Sequence, residues 1–471
     1  MPRIARLLVL ALPASLFAFT AARPADVPVG HEPDPKSVQR YQKATRYTQA
    51  GWVVLHIEGG PYDRGYQHGR LMAAEIADYV ATLARERYAR DPAEGWRAVR
   101  TLTDALFLRK MDREFLEEMK GIAEGAADGG AKFDGRKIDL IDVAAVNLWQ
   151  ELDTLENALA ATPTGVEKVE RTAPVPPKKD HCSAFAATGP ATADGKVVFG
   201  HITMFGLHFG PYVNVWIDCK PSKGRRFVLQ GFPGAVWSSQ DYYQNDAGIL
   251  LCETTIDQTS FDAAGEPLTT RARRAIQYSE SIDDVVKHLT ERNNGLYANE
   301  WLVADTKTGE IAMYELGTKT SKLWRSSKDE WFQGTKGFYW GNNNAKDPGV
   351  RAEAVPVGEQ PSEWEPDSRD KAWLKFYERN RGKIDADAAK KAFADRALAL
   401  PHSLDAKFST TALAKDLAAW ATYGPPTGRV WEPTPEDREQ HPGIRPLRPH
   451  PWTVLTINPA PAVQSGNSLP R

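Results

Sequence analysis

The stretch from Ala161 to Asp180 divides this chain into two parts with different patterns. It holds Pro163, Gly165, Pro174, Pro176 and Pro177 among scattered charges, with no apolar periodicity. Proline fixes φ and removes a backbone donor, so such a run neither continues a helix nor sits within a central strand. It reads as an exposed linker spanning residues 161–181, and it ends directly at His181-Cys182.

Before the linker, residues 23–160 are expected to be a helical N-terminal (pro-)segment that packs on the core. Trp52–Ile57 is strand-like, Gly59-Gly60-Pro61-Tyr62 is a turn, and Gly65 to Asp153 is helical. Within it, Met111, Phe115, Met119 and Ile122 recur at helical spacing before Gly129-Gly130, and Ile138 to Leu152 makes a second, more apolar helix. After the linker, residues 182–471 switch to strands. Ser183–Thr188 and Lys196–Ile202 are short apolar runs, and Val213, Val215 and Ile217 alternate with polar or bulky neighbours at period two. Arg226–Gln230, Gly248–Thr255, Trp301–Asp305 and Glu310–Leu316 are further strands. Helices follow Ser281 and cover Lys371–Arg379 and Asp385–Leu398. The expected class is α+β, built on antiparallel strands.

Residues 1–22 have the form of a secretory signal. Arg3 and Arg6 precede the apolar run Leu7 to Phe19, which is too short to span a bilayer, and Thr20-Ala21-Ala22 offers small residues for cleavage. The expected location is therefore secreted or periplasmic. The 59 basic and 61 acidic residues nearly balance, and no basic tract carries interleaved aromatics, so nucleic acid is not an expected partner. Cysteine number is odd: Cys182, Cys219 and Cys252. At least one thiol is unpaired within the chain, and a Cys219–Cys252 bridge is one open possibility. No CxxC or His/Cys spacing marks a metal, and no cofactor motif is present.

Cys182 is the candidate for chemistry. A cysteine nucleophile needs a thiolate and a base to generate it. At a chain's N-terminus the base is built in, since a free α-amine titrates near ~7.7–8.0. Such a residue must first be uncovered. In the uncut chain the thiol can attack the His181 carbonyl, and water then opens the resulting thioester. A linker followed by Cys and a strand is the arrangement this requires. An isolated cysteine on a strand is also commonly a small buried hydrophobe, and the junction alone leaves both readings open. Geometry adds a neighbour. Pro190 ends the first strand, the chain turns through Asp194-Gly195, and the return strand brings His201–Thr203 opposite Cys182.

Several stretches resemble the phospholipase B-like (lamina ancestor) family. These are Cys182-Ser183-Ala184, Phe199-Gly200-His201-Ile202-Thr203, Phe232-Pro233-Gly234 with Ser238 to Tyr243, Glu253-Thr254-Thr255-Ile256, and Asn293 to Trp301. Gly59-Gly60-Pro61-Tyr62-Asp63-Arg64-Gly65-Tyr66-Gln67-His68-Gly69 resembles the related autoproteolytic acyltransferase/hydrolase cysteine family. Both belong to the N-terminal-nucleophile hydrolases. The resemblance implies an αββα sandwich of two antiparallel sheets, self-cleavage between His181 and Cys182, and hydrolysis of an amide or ester through a thioester.

On that reading Cys182 supplies thiol and amine. Asn299 is the first candidate oxyanion donor and Thr254 the second, while His201 orients the amine or donates to the oxyanion. Asp405 and Lys407 resemble a C-terminal segment of bacterial relatives, where a structural salt bridge explains them equally. Trp237, Tyr242 and Trp301 are candidates for an apolar acyl pocket, with core packing as the plainer account. The expected substrate is a small acyl compound: a lipid, an N-acyl amine or a peptide-like amide. The two fragments are expected to stay associated. An acyltransferase using the same acyl-enzyme is the runner-up. A non-catalytic secreted binding protein of the same fold is the third reading, favoured by apolar Ile202 and Met204.

Overall fold

The computed structural model describes residues 32–161, 182–256, 259–354 and 363–457. The signal-like residues 1–22, nearly all of the linker, and His181 lie outside the described residues. Two sheets pack face to face. The larger has ten strands in the order Gln39–Tyr41, Ala44–Gln49, Trp52–Gly59, Val215–Pro221, Phe227–Gly231, Tyr242–Asn245, Ile249–Thr255, Asn299–Asp305, Glu310–Leu316 and Ser321–Arg325. The smaller has six, in the order Phe338–Gly341, Cys182–Ala187, Val198–Met204, Ser403–Thr410, Ala419–Tyr423 and Thr453–Leu455. Ile249–Thr255 and Asn299–Asp305 pack across Cys182–Ala187.

Helices Leu268–Tyr278 and Ile282–Thr290 cover the larger sheet, and Ser368–Asn380 and Ala386–Phe393 cover the smaller. This is the expected αββα sandwich. With cover on both faces, Cys182–Ala187, Val198–Met204 and Asn299–Asp305 are buried at every position. That is why these strands read as continuous runs rather than alternations.

The N-terminal part departs from the helical segment expected. It supplies three strands to one end of the larger sheet, and Trp52–Gly59 pairs parallel to Val215–Pro221. The single helix expected over Ile138–Leu152 is two, Leu140–Asn147 and Trp149–Ala161, parted where Leu148 leaves helical geometry at φ −100°, ψ 6°. Asp139 starts the first with a reciprocal capping box.

The glycine-rich run near the N-terminus has a packing role. Helix Pro61–Leu71 crosses helix Arg113–Asp128 with backbones nearly touching. A Cβ on Gly65 would lie 2.0 Å from the Glu118 carbonyl oxygen, and one on Gly121 would lie 2.2 Å from that of Tyr62. Gly69 and Gly125 repeat the contact one turn on, so only glycine fits at the crossing.

Candidate active site

Cys182 opens its strand, and the hairpin register pairs it with Thr203 and pairs Ala184 with His201. The return predicted from Pro190 is thus the one observed, with a short 3-10 turn at Gly189–Ala191. The Cys182 thiol is buried. Its Sγ lies 3.7 Å from Asp241 Oδ2, and one donor atom from each of Cys182, His201 and Asp241 falls within 4.8 Å of the others.

The Cys182 backbone is held from both sides. Its nitrogen donates to Asn343 Oδ1 at 3.0 Å. Its carbonyl oxygen accepts from Arg369 Nη1 at 2.5 Å, and the same Nη1 reaches Asn343 Oδ1 at 2.9 Å. Arg369 Nη2 donates to the Asn342 carbonyl at 2.6 Å, and Asn343 Nδ2 donates to the Thr255 carbonyl at 2.9 Å. Asn343 sits at φ 69°, a left-handed conformation that asparagine tolerates better than most residues. It lies just beyond strand Phe338–Gly341, and Arg369 lies in the first turn of helix Ser368–Asn380. Two separate segments therefore converge on the Cys182 backbone, and the Thr255 carbonyl of a third anchors Asn343.

On the strand beside the hairpin, where it pairs with His201, Lys407 is fully buried. Its Nζ lies 2.9 Å from Asp405 Oδ1 and 3.1 Å from the Gln240 carbonyl, and it also bonds Thr203 Oγ1. Asp405 Oδ2 accepts from Gln230 Nε2 at 2.7 Å. The salt-bridge reading of Asp405 and Lys407 describes this pair, and it stands directly beside the residue opposite Cys182.

Burial dominates the electrostatics. It pushes the Cys182 thiol well above its ordinary range, and the Asp241 and Glu253 carboxyls add to the effect. Burial also raises Asp241 to about 7 and Glu253 well above the usual carboxylate range. His201 is held well below its ordinary value by burial and then by the Lys407 charge, so its imidazole is neutral. The cluster thus has a protonated thiol next to a carboxyl that changes charge near neutrality.

The other sequence candidates fall in two groups. Asn299 stands opposite Thr255 in the sheet, and neither atom of its buried amide makes a hydrogen bond among the described residues. Thr254 directs its hydroxyl to Glu300 Oε2 at 3.3 Å, and Glu300 is paired with the buried Lys346 at 2.6 Å. The three aromatics are core residues and not walls of the pocket. Trp237 donates to the Asn147 carbonyl at 2.9 Å, Tyr242 packs against Trp216 at 5.8 Å between centroids, and Trp301 is fully buried in its strand. Large aromatics in strands covered on both faces fill space between layers, which the sequence pattern does not distinguish from lining a cleft. The cleft at Cys182 is instead walled by Met204, Phe205 and Tyr297, with Gln150, Thr203 and Asp241 as its polar edge. Asp241, Asn343 and Arg369 are the site residues that sequence reasoning missed.

Cys219 and Cys252 are both free and buried. Their strands are separated by two others in the sheet, which puts them roughly 14 Å apart at ~4.8 Å per strand, too far for a disulfide. Among the described residues, no helix is long and apolar enough to cross a membrane.

Comparison with known proteins gives three kinds of match. Residues 78–325 match the phospholipase B family. An uncharacterized protein of Archaeoglobus fulgidus is 30% identical over 275 residues, which are 55% of this chain and 42% of that one. The match therefore spans less than half the length of that relative. Among solved structures, a Caenorhabditis elegans N-acylethanolamine-hydrolyzing acid amidase ortholog aligns with TM-score 0.34 and 8% identity, over 59% of this chain and all of that one. Penicillin V acylase from Agrobacterium tumefaciens aligns with TM-score 0.34 and 11% identity, over 51% of this chain and 83% of that one.

Proposed function

As this chain belongs to the phospholipase B family, we propose that it is an N-terminal-cysteine hydrolase, activated by self-cleavage before Cys182, that cleaves an ester or amide through a thioester. The observation that carries this reading is the clamp on Cys182. Asn343 and Arg369 hold its nitrogen and carbonyl where no strand partner reaches among the described residues, and Asp241 Oδ2 lies 3.7 Å from its sulfur, a carboxyl neighbour that a cysteine serving only as a core hydrophobe does not need.

Self-cleavage begins with the Cys182 thiol giving its proton to Asp241, the nearest carboxylate. The sulfur adds to the His181 carbonyl carbon. The bond to the Cys182 nitrogen breaks, that nitrogen takes up a proton, and a thioester results. Water then hydrolyses the thioester. His181 leaves with a carboxylate, and Cys182 keeps its thiol and gains a free α-amine.

In turnover the α-amine, held by Asn343 Oδ1, takes the thiol proton as the sulfur attacks the substrate carbonyl. The leaving alcohol or amine departs with a proton, and water deacylates the enzyme. Asn299 is the proposed oxyanion donor, supported by its uncommitted buried amide. His201, its imidazole held well below its ordinary value, is a weak base, and its proposed role is to orient the amine or to donate an N–H to the oxyanion. Met204, Phe205 and Tyr297 are the apolar groups beside Cys182 that would meet the acyl part of a lipid, an N-acyl amine or a peptide-like amide; the space they line is only about 10 Å³, so an acyl chain requires it to widen.

N-terminal sequencing of the purified protein tests this directly. The expected result is a chain beginning at Cys182 in the parent and an uncut chain for Cys182→Ala. Equal processing of the alanine variant would show that another agent cuts the linker.

A further inference from the structure

A second convergence of metal-binding side chains lies away from Cys182. Glu86 is near the end of helix Ala73–Arg87, His208 is in the short helix Leu207–Tyr212, and His441 caps helix Pro435–Gln440. His208 Nε2 lies 3.2 Å from Glu86 Oε2, and His441 Nδ1 lies 3.8 Å from the same oxygen. One donor atom from each residue falls within 4.8 Å of the other two. Each residue comes from a distant part of the chain, so no local spacing announces the set.

We propose that Glu86, His208 and His441 form a zinc-binding site. The donor chemistry is two imidazoles and one carboxylate, a set that suits zinc and leaves a fourth position for water. With ligands at ~2.0–2.1 Å, a tetrahedral ion sets its donors ~3.3 Å apart. The Glu86–His208 spacing already meets this, and the Glu86–His441 spacing exceeds it by about half an ångström. The two imidazole rings are stacked at 3.7 Å between centroids and 8° between planes. A nitrogen lone pair lies in its own ring plane, so a shared ion requires the His441 ring to turn out of the stack. The short helix that His441 ends has no buried residues, and the Glu86, His208 and His441 side chains are 34%, 12% and 26% exposed. The ring can therefore turn, and an ion can enter from solvent.

The site has a structural consequence. It joins a helix that precedes the linker to two segments that follow it. It also steadies the wall of the Cys182 cleft, because Phe209, next to His208, stacks on Phe205 at 4.9 Å. Zinc bound here would fasten that wall to the N-terminal part.

The test is calorimetric titration with Zn²⁺ alone of full-length protein stripped by a chelator, paired with melting curves. Wild type is compared with His441→Ala, Glu86→Gln and Cys182→Ala. The last is needed because Cys182, His201 and Asp241 also present donor atoms within 4.8 Å of one another. Expected are one zinc per chain and a zinc-dependent rise in melting temperature for wild type and Cys182→Ala. His441→Ala and Glu86→Gln should each lose at least tenfold in affinity. No zinc uptake by wild type, affinity that survives either of those two substitutions, or binding lost in Cys182→Ala would overturn the proposal.

Discussion

Replacing Asn343 with aspartate isolates the role proposed for the Cys182 amine. Oδ1 of Asn343 accepts from the Cys182 nitrogen at 3.0 Å and from Arg369 Nη1 at 2.9 Å. An aspartate in the same pose keeps both acceptor contacts, and its charge is partnered by Arg369, but it gives up the Nδ2 donation to the Thr255 carbonyl at a cost of ~1–3 kcal/mol. The fold is expected to survive with a lowered melting temperature, which is measured alongside. The carboxylate favours the ammonium form of the amine. A nearby opposite charge typically moves a pKa by ~1–3, and Arg369 holds the rise of the amine to the lower end, ~1–2. The same negative charge raises the neighbouring thiol, so both effects act in one direction. Below its pKa a base loses tenfold of its free form each time that pKa rises by one, so reactivity at pH 7 falls ~10–100-fold and recovers above about pH 10. Asn343→Leu differs: it strands two buried donors, costs ~1–3 kcal/mol for each, and does not recover at high pH. Labelling of Cys182 by iodoacetamide across pH, read by peptide mass spectrometry on the processed protein, needs no known substrate. Identical pH profiles for wild type and Asn343→Asp would refute the amine as base.

Cys182→Ser is expected to process slowly and partially and to hydrolyse little, because a hydroxyl is a weaker nucleophile under the same base, whereas Cys182→Ala stays whole; denaturing gels over time separate these outcomes. Self-cleavage of the wild type is expected to slow about tenfold for each pH unit below about pH 7, where Asp241 takes up its proton. Asp241→Asn should flatten that profile and slow cleavage throughout. Because burial raises Asp241 in the folded state, its contribution favours folding below the ordinary carboxylate pKa and is lost as pH rises through about 7. Asp241→Asn should therefore melt higher than the parent at pH 8 and alike at pH 4, as thermal unfolding would show. Gly69→Ala would place a methyl 2.0 Å from the Ile122 carbonyl oxygen. Forcing that backbone contact apart costs ~1–3 kcal/mol, so the melting temperature should fall by about 1–3 °C in a chain of this length; an unchanged value would mean the helices do not cross this closely.

The hairpin that begins at Cys182 is legible in the sequence because its signals are local. Pro190 and Asp194-Gly195 fix where one strand stops and the next begins, and the short apolar runs on either side do the rest. Asp241, Asn343 and Arg369 are not legible as a set, since each arrives from a different segment. Arg369 sits near the start of a helix and is buried despite its charge, and one arginine in a helical pattern does not say which way it points. Asn343 lies within Asn342-Asn343-Asn344, where a polar triplet after a strand reads as an ordinary turn. Strand Ser403–Thr410 escapes notice because Asp405 and Lys407 interrupt its apolar run. Burial of both as a pair overrides the pattern. The aromatics mislead in the opposite sense, because bulk and apolarity mark a core wall and a ligand wall alike.

The two sides of the linker share one core, and that bears on what a cut can do. Arg64 and Glu118, before the linker, form a buried network with Arg273 after it, with contacts of 2.6 Å and 2.8 Å to Glu118. Glu151 accepts from Leu268 N at 3.0 Å, at the start of helix Leu268–Tyr278, and from Asn294 Nδ2 at 2.8 Å. Asn147 holds the loop that leads to Asp241, donating to the Gly234 carbonyl at 2.8 Å and accepting from Val236 N at 2.9 Å. Separating the pieces would leave these charges unpaired, and breaking a buried ion pair costs ~3–5 kcal/mol. It would also open the parallel pairing of Trp52–Gly59 with Val215–Pro221 and remove Gln150 from the cleft edge. A break at 181/182 severs one peptide bond and none of these contacts. The residues before the linker therefore share the core and the edge of the Cys182 cleft, so a cut at 181/182 is not expected to release them.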